Sequence, residues 1–271
     1  MPVLLRIDRI RPVVAILAAL SIVGAAVVAD AQQQTRPQKP AARIKPSTAT
    51  PAKPGASPAP LKVEALPPSQ IGIGTLARQG FMVDPQTSTV MLFKDADQPM
   101  APSSMSKMMT IYIIFEELAA GRLKLDSRFR VSERARAMGG SRMFLELGSE
   151  VSVEDLIKGI IVLSGNDACV VIAEGLSGSE ESFADRMTKR GRELGMAKTV
   201  FKNASGWPAE GQYTTARDLA VLAWRTIDDY PKLYRYYSET DWTYNNIRQQ
   251  NRNRLLKITP GTDGLKTGHT E

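Results

Sequence analysis

The stretch from Met105 to Leu118 is the part of this chain that most restricts its fold. Apolar side chains recur there at helical spacing, and Ile111, Ile113 and Ile114 make the middle of the stretch apolar on nearly every face. A helix that is apolar all round is stable only when other elements cover it. The pattern therefore predicts a central, buried helix that begins near Ser104.

Ser104 and Lys107, at the start of this helix, have the spacing needed for acyl-transfer chemistry. Residues three apart lie on one face of a helix, about one turn apart. A serine hydroxyl becomes nucleophilic when a base takes its proton, and a lysine with a lowered pKa can be that base. The pattern S-x-x-K carries little information by itself, and it also fits an ordinary helix start with a solvated lysine.

Two later motifs change the balance between these interpretations. Ser164-Gly165-Asn166 follows the apolar run from Leu156 to Leu163, and Lys266-Thr267-Gly268 follows a turn at residues 260–264. S-x-x-K, S-x-N and K-T-G in this order are the motif set of penicillin-binding proteins and serine β-lactamases. Together the three motifs favour a serine enzyme of this type.

From about Gly80 to Glu271 the chain resembles the D-alanyl-D-alanine carboxypeptidases, which are low-molecular-mass penicillin-binding proteins. The resemblance rests on the three motifs, on Asn251-Arg252-Asn253, and on the His269-Thr270 pair that follows K-T-G. That pair favours the carboxypeptidases over class A β-lactamases. Those lactamases carry S-D-N where this chain has Gly165, and the glutamate that activates their deacylating water has no evident counterpart here.

The resemblance implies a role for each motif residue. Ser104 is the expected nucleophile, Lys107 its base and Ser164 the relay for the leaving-group proton, while Asn166 is expected to bind the acyl side chain. The backbone N–H groups of Ser104 and His269 are the expected oxyanion donors. The expected substrate-binding residues are Lys266, Thr267, Gly268, His269 and Arg252. Arg252 is equally well explained as a surface arginine.

The resemblance also implies a reaction and its inhibitors, and it leaves several alternative functions open. It implies hydrolysis of the terminal D-Ala-D-Ala bond of peptidoglycan stem peptides, with β-lactams as inhibitors. A β-lactamase, a murein D,D-endopeptidase and a catalytically idle peptidoglycan-binding module remain alternatives. A Ser-His-Asp triad would have to use His269, the single histidine, whose position after K-T-G favours a cleft-shaping role. No cofactor is expected, and no cluster of residues has metal-ligand spacing.

Short patterns along the chain predict an α+β fold. They predict a β-hairpin at residues 80–93, extended pieces near Phe129 and Phe144, and an extended segment from Trp242 to Arg248. They also predict helices at 155–163, at 167–175, and from Phe183 to a cap at Gly195. A further helix is predicted from Thr215 to about residue 230, with Thr215 and Asp218 as a capping box. Asn166 is expected in a turn between two helices. The family fold implied is that of the β-lactamases and penicillin-binding transpeptidases, with an antiparallel sheet from the two chain ends beside a helical lobe.

The first 68 residues differ in composition from the rest. Residues 1–31 combine arginines, the apolar run from Val13 to Val28 and an Ala29-Asp30-Ala31 cleavage pattern, so they predict a signal peptide; an uncleaved anchor is the alternative. Residues 32–68 are rich in Pro, Ala and Lys, which predicts a disordered linker. Residues 69–271 are then the catalytic domain. The predicted location is outside the cytoplasm, in the periplasm or on the outer face of the cytoplasmic membrane.

Charge and cysteine content exclude other classes of protein. The net charge is +7, but residues 1–68 carry nine Lys or Arg against three Asp or Glu, so the predicted domain is nearly neutral and nucleic-acid binding has no support. Cys169 is the single cysteine and is interpreted as a small core residue close to the site.

The resemblance also implies further strands and a membrane-seeking segment after residue 271. Without those strands, the K-T-G strand is expected to lack hydrogen-bond partners and to fray.

Overall fold

The computed structural model describes residues 15–16 and 75–269 of the chain. The predicted signal peptide at 1–31 and linker at 32–68 therefore lie outside the described residues, apart from Ala15 and Ile16. Those two domain boundaries stay predictions. In the described part, no helix combines the length and the apolar content that crossing a membrane requires.

Helices and small antiparallel sheets alternate along the described chain, which confirms the α+β class. The strands are β1 (Ala15–Ile16), β2 (Gly80–Asp84), β3 (Thr89–Lys94), β4 (Arg128–Arg130), β5 (Glu150–Ser152), β6 (Asp241–Tyr244) and β7 (Ile247–Gln250). The helices are α1 (Lys107–Ala119), α2 (Glu133–Ala137), α3 (Val153–Val162), α4 (Asn166–Ser177), α5 (Glu180–Leu194), α6 (Ala216–Asp229), α7 (Pro231–Tyr234) and α8 (Leu255–Ile258).

The predicted hairpin at residues 80–93 is confirmed as β2 and β3. The strands pair antiparallel, with Phe81 opposite Phe93, and β1 pairs antiparallel with the other edge of β2, in the order β1-β2-β3. The Asp84 carboxylate accepts a hydrogen bond from the N–H of Gln86 at 2.9 Å and closes the turn. Arg217 of α6 lies over the rings of Phe81 and Phe93, so the sheet is held against the helices.

The central helix predicted from the apolar stretch is α1. A 3₁₀ turn over Ser103–Ser106 precedes it, and the chain leaves it through Gly121 at φ 69°. Every side chain from Ile111 to Phe115 is 0% exposed. Helices α3, α4, α5 and α6 all contact α1, and their apolar faces supply the cover that its sequence requires.

The helices that cover α1 begin at hydroxyl caps. Ser152, Ser179 and Thr215 accept hydrogen bonds from backbone N–H groups at the starts of α3, α5 and α6. The predicted capping box at Thr215 and Asp218 forms only in part. The Asp218 N–H binds the Thr215 hydroxyl, but the Asp218 carboxylate accepts hydrogen bonds from residues 198 and 199 instead.

Two predicted extended segments have a different structure. The piece near Phe129 is β4 and pairs with β5, but Phe144 lies in no strand and has φ 60°. The segment from Trp242 to Arg248 is a hairpin, β6–β7, because Asn245 and Asn246 turn the chain at φ 47° and 62°. Asparagine adopts such left-handed angles more readily than other residues with side chains.

Residues 263–269, which contain K-T-G, have no regular secondary structure. The three-stranded sheet therefore has no strand from this segment within the described residues, in contrast to the predicted sheet from both chain ends. The segment is held by side chains instead. The Asn253 amide donates to the Gly264 carbonyl at 2.7 Å, and the Tyr234 hydroxyl donates to Asp263 at 2.9 Å.

Candidate active site

Ser104 lies in the 3₁₀ turn that leads into α1, and Lys107 is the first residue of the helix. Lys107 Nζ donates to Ser104 Oγ at 3.1 Å. Ser104 is half-buried, whereas Lys107 is 0% exposed. The structure thus joins the two S-x-x-K side chains as the sequence predicts, with the hydroxyl reachable and the amine enclosed.

Lys107 has two further hydrogen-bond partners inside the protein. Its Nζ donates to Asn166 Oδ1 at 2.8 Å and to the Ser205 carbonyl at 2.6 Å. Burial lowers the pKa of Lys107, while the nearby Cys169 and Asp167 act in the opposite direction. A buried amine with a lowered pKa gives up its proton more readily than a solvated lysine, as a base for Ser104 must.

The Ser164-Gly165-Asn166 motif joins α3 to α4. Asn166 is the first residue of α4 rather than part of a free turn, because its N–H binds the Ser141 carbonyl at 2.7 Å and its amide donates to the Gly139 carbonyl at 2.8 Å. Ser164 has φ 69°. Its buried hydroxyl has no hydrogen-bond partner among the described residues, so it is free to take one from a bound molecule.

The K-T-G segment runs beside the turn that carries Ser104. A Cβ placed on Gly268 would lie 2.6 Å from Ser103 Oγ and 3.3 Å from the Met105 nitrogen, so the backbone of Gly268 passes close to this turn and a side chain there would displace the Ser103 hydroxyl. Lys266 is 9% exposed, and its Nζ donates to the Thr267 carbonyl at 2.8 Å. Thr267 and His269 are exposed to solvent.

The pKa of Lys266 lies well below that of a solvated lysine. Burial is the largest cause, and the charges of Lys107 and Arg252 lower it further. The Arg252 side chain is exposed, while its backbone N–H binds the Val162 carbonyl at the end of α3 at 3.1 Å. Asn251-Arg252-Asn253 therefore connects α3 to the K-T-G segment, with the Arg252 side chain at the surface.

Cys169 lies in the core close to Lys107. The side chain is 0% exposed, its Sγ donates to the Gly165 carbonyl at 3.3 Å, and burial raises the pKa of the thiol to about 12. Such a thiol stays protonated at neutral pH and is a poor nucleophile. This agrees with the interpretation of Cys169 as a small core residue next to the site.

Two other arrangements find no geometric support in the described part of the chain. His269 is exposed and forms no hydrogen bond to a described carboxylate, as a Ser-His-Asp triad requires. Over residues 75–269, no group of three or more His, Cys, Asp or Glu side chains is arranged to hold a metal ion.

A loop over residues 203–207 completes the surroundings of Lys107, and the sequence did not single it out. The loop supplies the Ser205 carbonyl, which accepts a hydrogen bond from Lys107 Nζ, and the Thr110 hydroxyl of α1 donates to the preceding carbonyl of Ala204 at 2.6 Å. Asn203 Oδ1 accepts from the Gly206 N–H at 2.8 Å, which closes the loop. A backbone carbonyl carries no residue-specific signal, so motif reading cannot find it.

Asp167 is a second residue that the sequence did not assign. It is 1% exposed, and its carboxylate accepts from the backbone N–H groups of Met143 at 2.9 Å and Leu145 at 3.3 Å. These bonds fix the loop whose Gly139 carbonyl orients the Asn166 amide. The only sequence signal was the adjacency of Asp167 to the S-x-N motif.

Gly206 is the position in this loop where a side chain is least tolerated. Its φ is +80°, and a Cβ there would lie 1.8 Å from the Ser103 carbonyl oxygen. We expect Gly206→Ala to lower the free energy of unfolding by about 2 kcal/mol or more. We also expect it to slow acylation of Ser104, because the added methyl displaces the turn that carries the hydroxyl.

Gly195→Ala is the matched control for this change. Gly195 has φ +98°, but a Cβ there meets no atom within 4 Å, so this variant tests backbone strain without the clash. Denaturant unfolding and the rate of penicillin labelling should be measured for both. Slower labelling in Gly206→Ala alone is the expected result, and equal effects in the two variants would contradict the assigned contact.

Comparison with known proteins identifies the family. A sequence profile described as D-alanyl-D-alanine carboxypeptidase matches residues 68–271. The D-alanyl-D-alanine carboxypeptidase DacF of Bacillus subtilis is 41% identical over 199 residues, which are 72% of this chain and 51% of the relative. The chain thus spans about half the length of the curated relatives it matches.

Solved structures share the fold. The D-alanyl-D-alanine carboxypeptidase DacD of Francisella tularensis matches with a TM-score of 0.70 and 32% identity, over 73% of this chain and 61% of that one. Penicillin-Binding Protein D2 of Listeria monocytogenes, solved in an ampicillin-bound form, matches with a TM-score of 0.62 and 27% identity, over 69% and 76%. Given the profile, the relatives and the shared fold, the chain belongs to the D-alanyl-D-alanine carboxypeptidase family.

Proposed function

We propose that this chain carries the active site of a serine-type carboxypeptidase that removes the terminal D-alanine from peptidoglycan stem peptides. The observation that carries the proposal is the contact of 3.1 Å between Ser104 Oγ and the buried amine of Lys107. Family membership supports the same reaction. The location we propose is exported, in the periplasm or on the outer face of the membrane.

Acylation begins at Ser104. The neutral amine of Lys107 takes the hydroxyl proton as Ser104 Oγ attacks the carbonyl carbon between the two D-alanines. The tetrahedral oxyanion is stabilised by the backbone N–H groups of Ser104 and His269. As the C–N bond breaks, the proton that Lys107 took is relayed through the hydroxyl of Ser164, which is buried without a partner, to the nitrogen of the leaving D-alanine. The acyl group stays on Ser104.

The walls of the cleft orient the substrate. The terminal carboxylate of the peptide lies on the side of Lys266, Thr267 and Gly268, with the Arg252 charge at the rim. The acyl side chain lies on the Asn166 side. Water then hydrolyses the acyl-enzyme and releases the shortened peptide. A β-lactam acylates the same hydroxyl, and the resulting acyl-enzyme releases it slowly.

The contacts of the described residues favour a carboxypeptidase over a class A β-lactamase. Class A deacylation uses a glutamate that activates water. No described glutamate forms a hydrogen bond to Ser104 or Lys107. The buried Glu180 is ion-paired with Arg134 at 2.7 Å and accepts from the Ala204 N–H at 3.1 Å, so it holds the loop rather than a water.

The test compares two substrates at the same enzyme concentration. A peptide that ends in D-Ala-D-Ala should release free D-alanine with many turnovers, whereas penicillin should label the protein about once per chain and be hydrolysed slowly. Fast penicillin turnover with no release of D-alanine would indicate a β-lactamase. Absence of both reactions would contradict an enzymatic role and favour a binding module.

A further inference from the structure

The indole of Trp207 is a large apolar group that stays 46% exposed beside the site. Its backbone is fixed, because its N–H donates to Ser205 Oγ at 3.2 Å and its carbonyl accepts from the Asn203 amide at 2.8 Å. Trp207 therefore belongs to the same loop that holds Lys107. A half-exposed ring on a fixed backbone presents apolar area at low entropy cost.

One side of the ring rests on a pair of glycines. A Cβ on Gly139 would lie 3.2 Å from the indole Cη2, and a Cβ on Gly140 would lie 3.0 Å from the indole Cζ3. The second of these points is also 2.9 Å from Asn166 Nδ2. The indole edge and the Asn166 amide are therefore neighbours across Gly140. The absence of side chains at 139 and 140 allows this close stacking.

The charges of the site lie elsewhere. Arg252 is exposed next to Asn253, whose amide binds the Gly264 carbonyl just before K-T-G, so a permanently charged guanidinium lies on the K-T-G side. The carboxylate end of a ligand on Ser104 is drawn to that side. On the other side, Asn166 shares Lys107 Nζ with Ser104 Oγ, and its amide lies next to the indole across Gly140, so the indole borders the direction open to an uncharged acyl group.

We propose that the exposed face of Trp207, with Gly139-Gly140 behind it, is a binding subsite for the apolar or aromatic acyl group of a ligand that acylates Ser104. The subsite rests on the proposed function. It makes Trp207 a specificity-determining residue, since the aromatic face adds stacking to apolar burial. The subsite does not raise the acylation rate of ligands that lack the acyl group.

Two β-lactams that differ in the acyl group test the subsite. Benzylpenicillin carries a phenylacetyl group, and 6-aminopenicillanic acid has the same bicyclic ring and carboxylate with a free amine. The measured quantity is the ratio of their second-order acylation rates, counted per titratable active site so that poorly folded protein drops out. We expect Trp207→Ala to lower this ratio about tenfold and Trp207→Phe to keep most of it.

Trp224→Phe is the control, because Trp224 lies on α6 beside Arg225 and outside the site. It should keep the wild-type ratio. An equal fall of both rates in Trp207→Ala, which leaves the ratio unchanged, would overturn the subsite while leaving the proposed function standing. Failure of both compounds to acylate the wild-type protein would overturn the proposed function and the subsite together.

Discussion

Replacing Lys107 by arginine should reduce acylation of Ser104 by at least about a thousandfold. The wild-type amine is 0% exposed, and burial lowers its pKa, so a neutral form is accessible to accept the Ser104 proton. A guanidinium stays protonated in proteins. The variant keeps a positive charge at this position and loses the base.

The measurement is the rate of fluorescent-penicillin labelling, with circular dichroism to verify the fold. Lys158→Arg is the matched control, because Lys158 is ion-paired with Glu154 at 3.0 Å on α3 and contacts no site residue through that pair. The control should label at the wild-type rate. Near-normal labelling of the Lys107→Arg variant at neutral pH would refute the base role.

Asn166→Asp should slow acylation at neutral pH by about ten- to a hundredfold, with recovery as the pH rises. Asn166 Oδ1 accepts from Lys107 Nζ at 2.8 Å, so the substitution places a carboxylate against the ammonium. An adjacent negative charge stabilises protonated lysine and raises the pKa of Lys107. The base is then protonated at neutral pH and becomes neutral only at higher pH.

The pH–rate profile for penicillin labelling shows whether the substitution raises or lowers the pKa of Lys107. The wild-type rate should rise with pH through the lowered pKa of Lys107, and the variant's rise should lie at higher pH. Asn246→Asp, at the exposed β6–β7 turn, introduces the same charge elsewhere and should keep the wild-type profile. A uniform loss of rate at every pH would show that Asn166 acts on the substrate alone.

The sequence predicted those parts of the fold that depend on local patterns. The apolar surface of α1, the Gly195 cap of α5, the Thr215 cap of α6 and the β2–β3 hairpin each depend on residues close together in the chain. The turn at Asn245-Asn246 was missed because two asparagines in a polar stretch resemble a loop as much as a hairpin turn. Phe144 was misassigned because the tertiary bonds of its loop to Asp167 override strand propensity.

The motif side chains were predictable, whereas the groups that hold them were not. Ser104 and Lys107 meet as their spacing requires, and the K-T-G segment runs beside their turn. The carbonyls of Gly139 and Ser205, which orient Asn166 and Lys107, come from loops that are remote in sequence. Backbone groups are identical at every residue, so only the folded chain reveals which of them face the site.

The identity of the acylated residue tests the account most directly. The protein should be treated with benzylpenicillin, digested, and analysed by mass spectrometry for the peptide that carries the adduct. We predict one adduct per chain on Ser104, and none in a Ser104→Ala variant that keeps its fold. An adduct on Ser164 or Cys169, or undiminished labelling of Ser104→Ala, would contradict the proposal that Ser104 is the nucleophile.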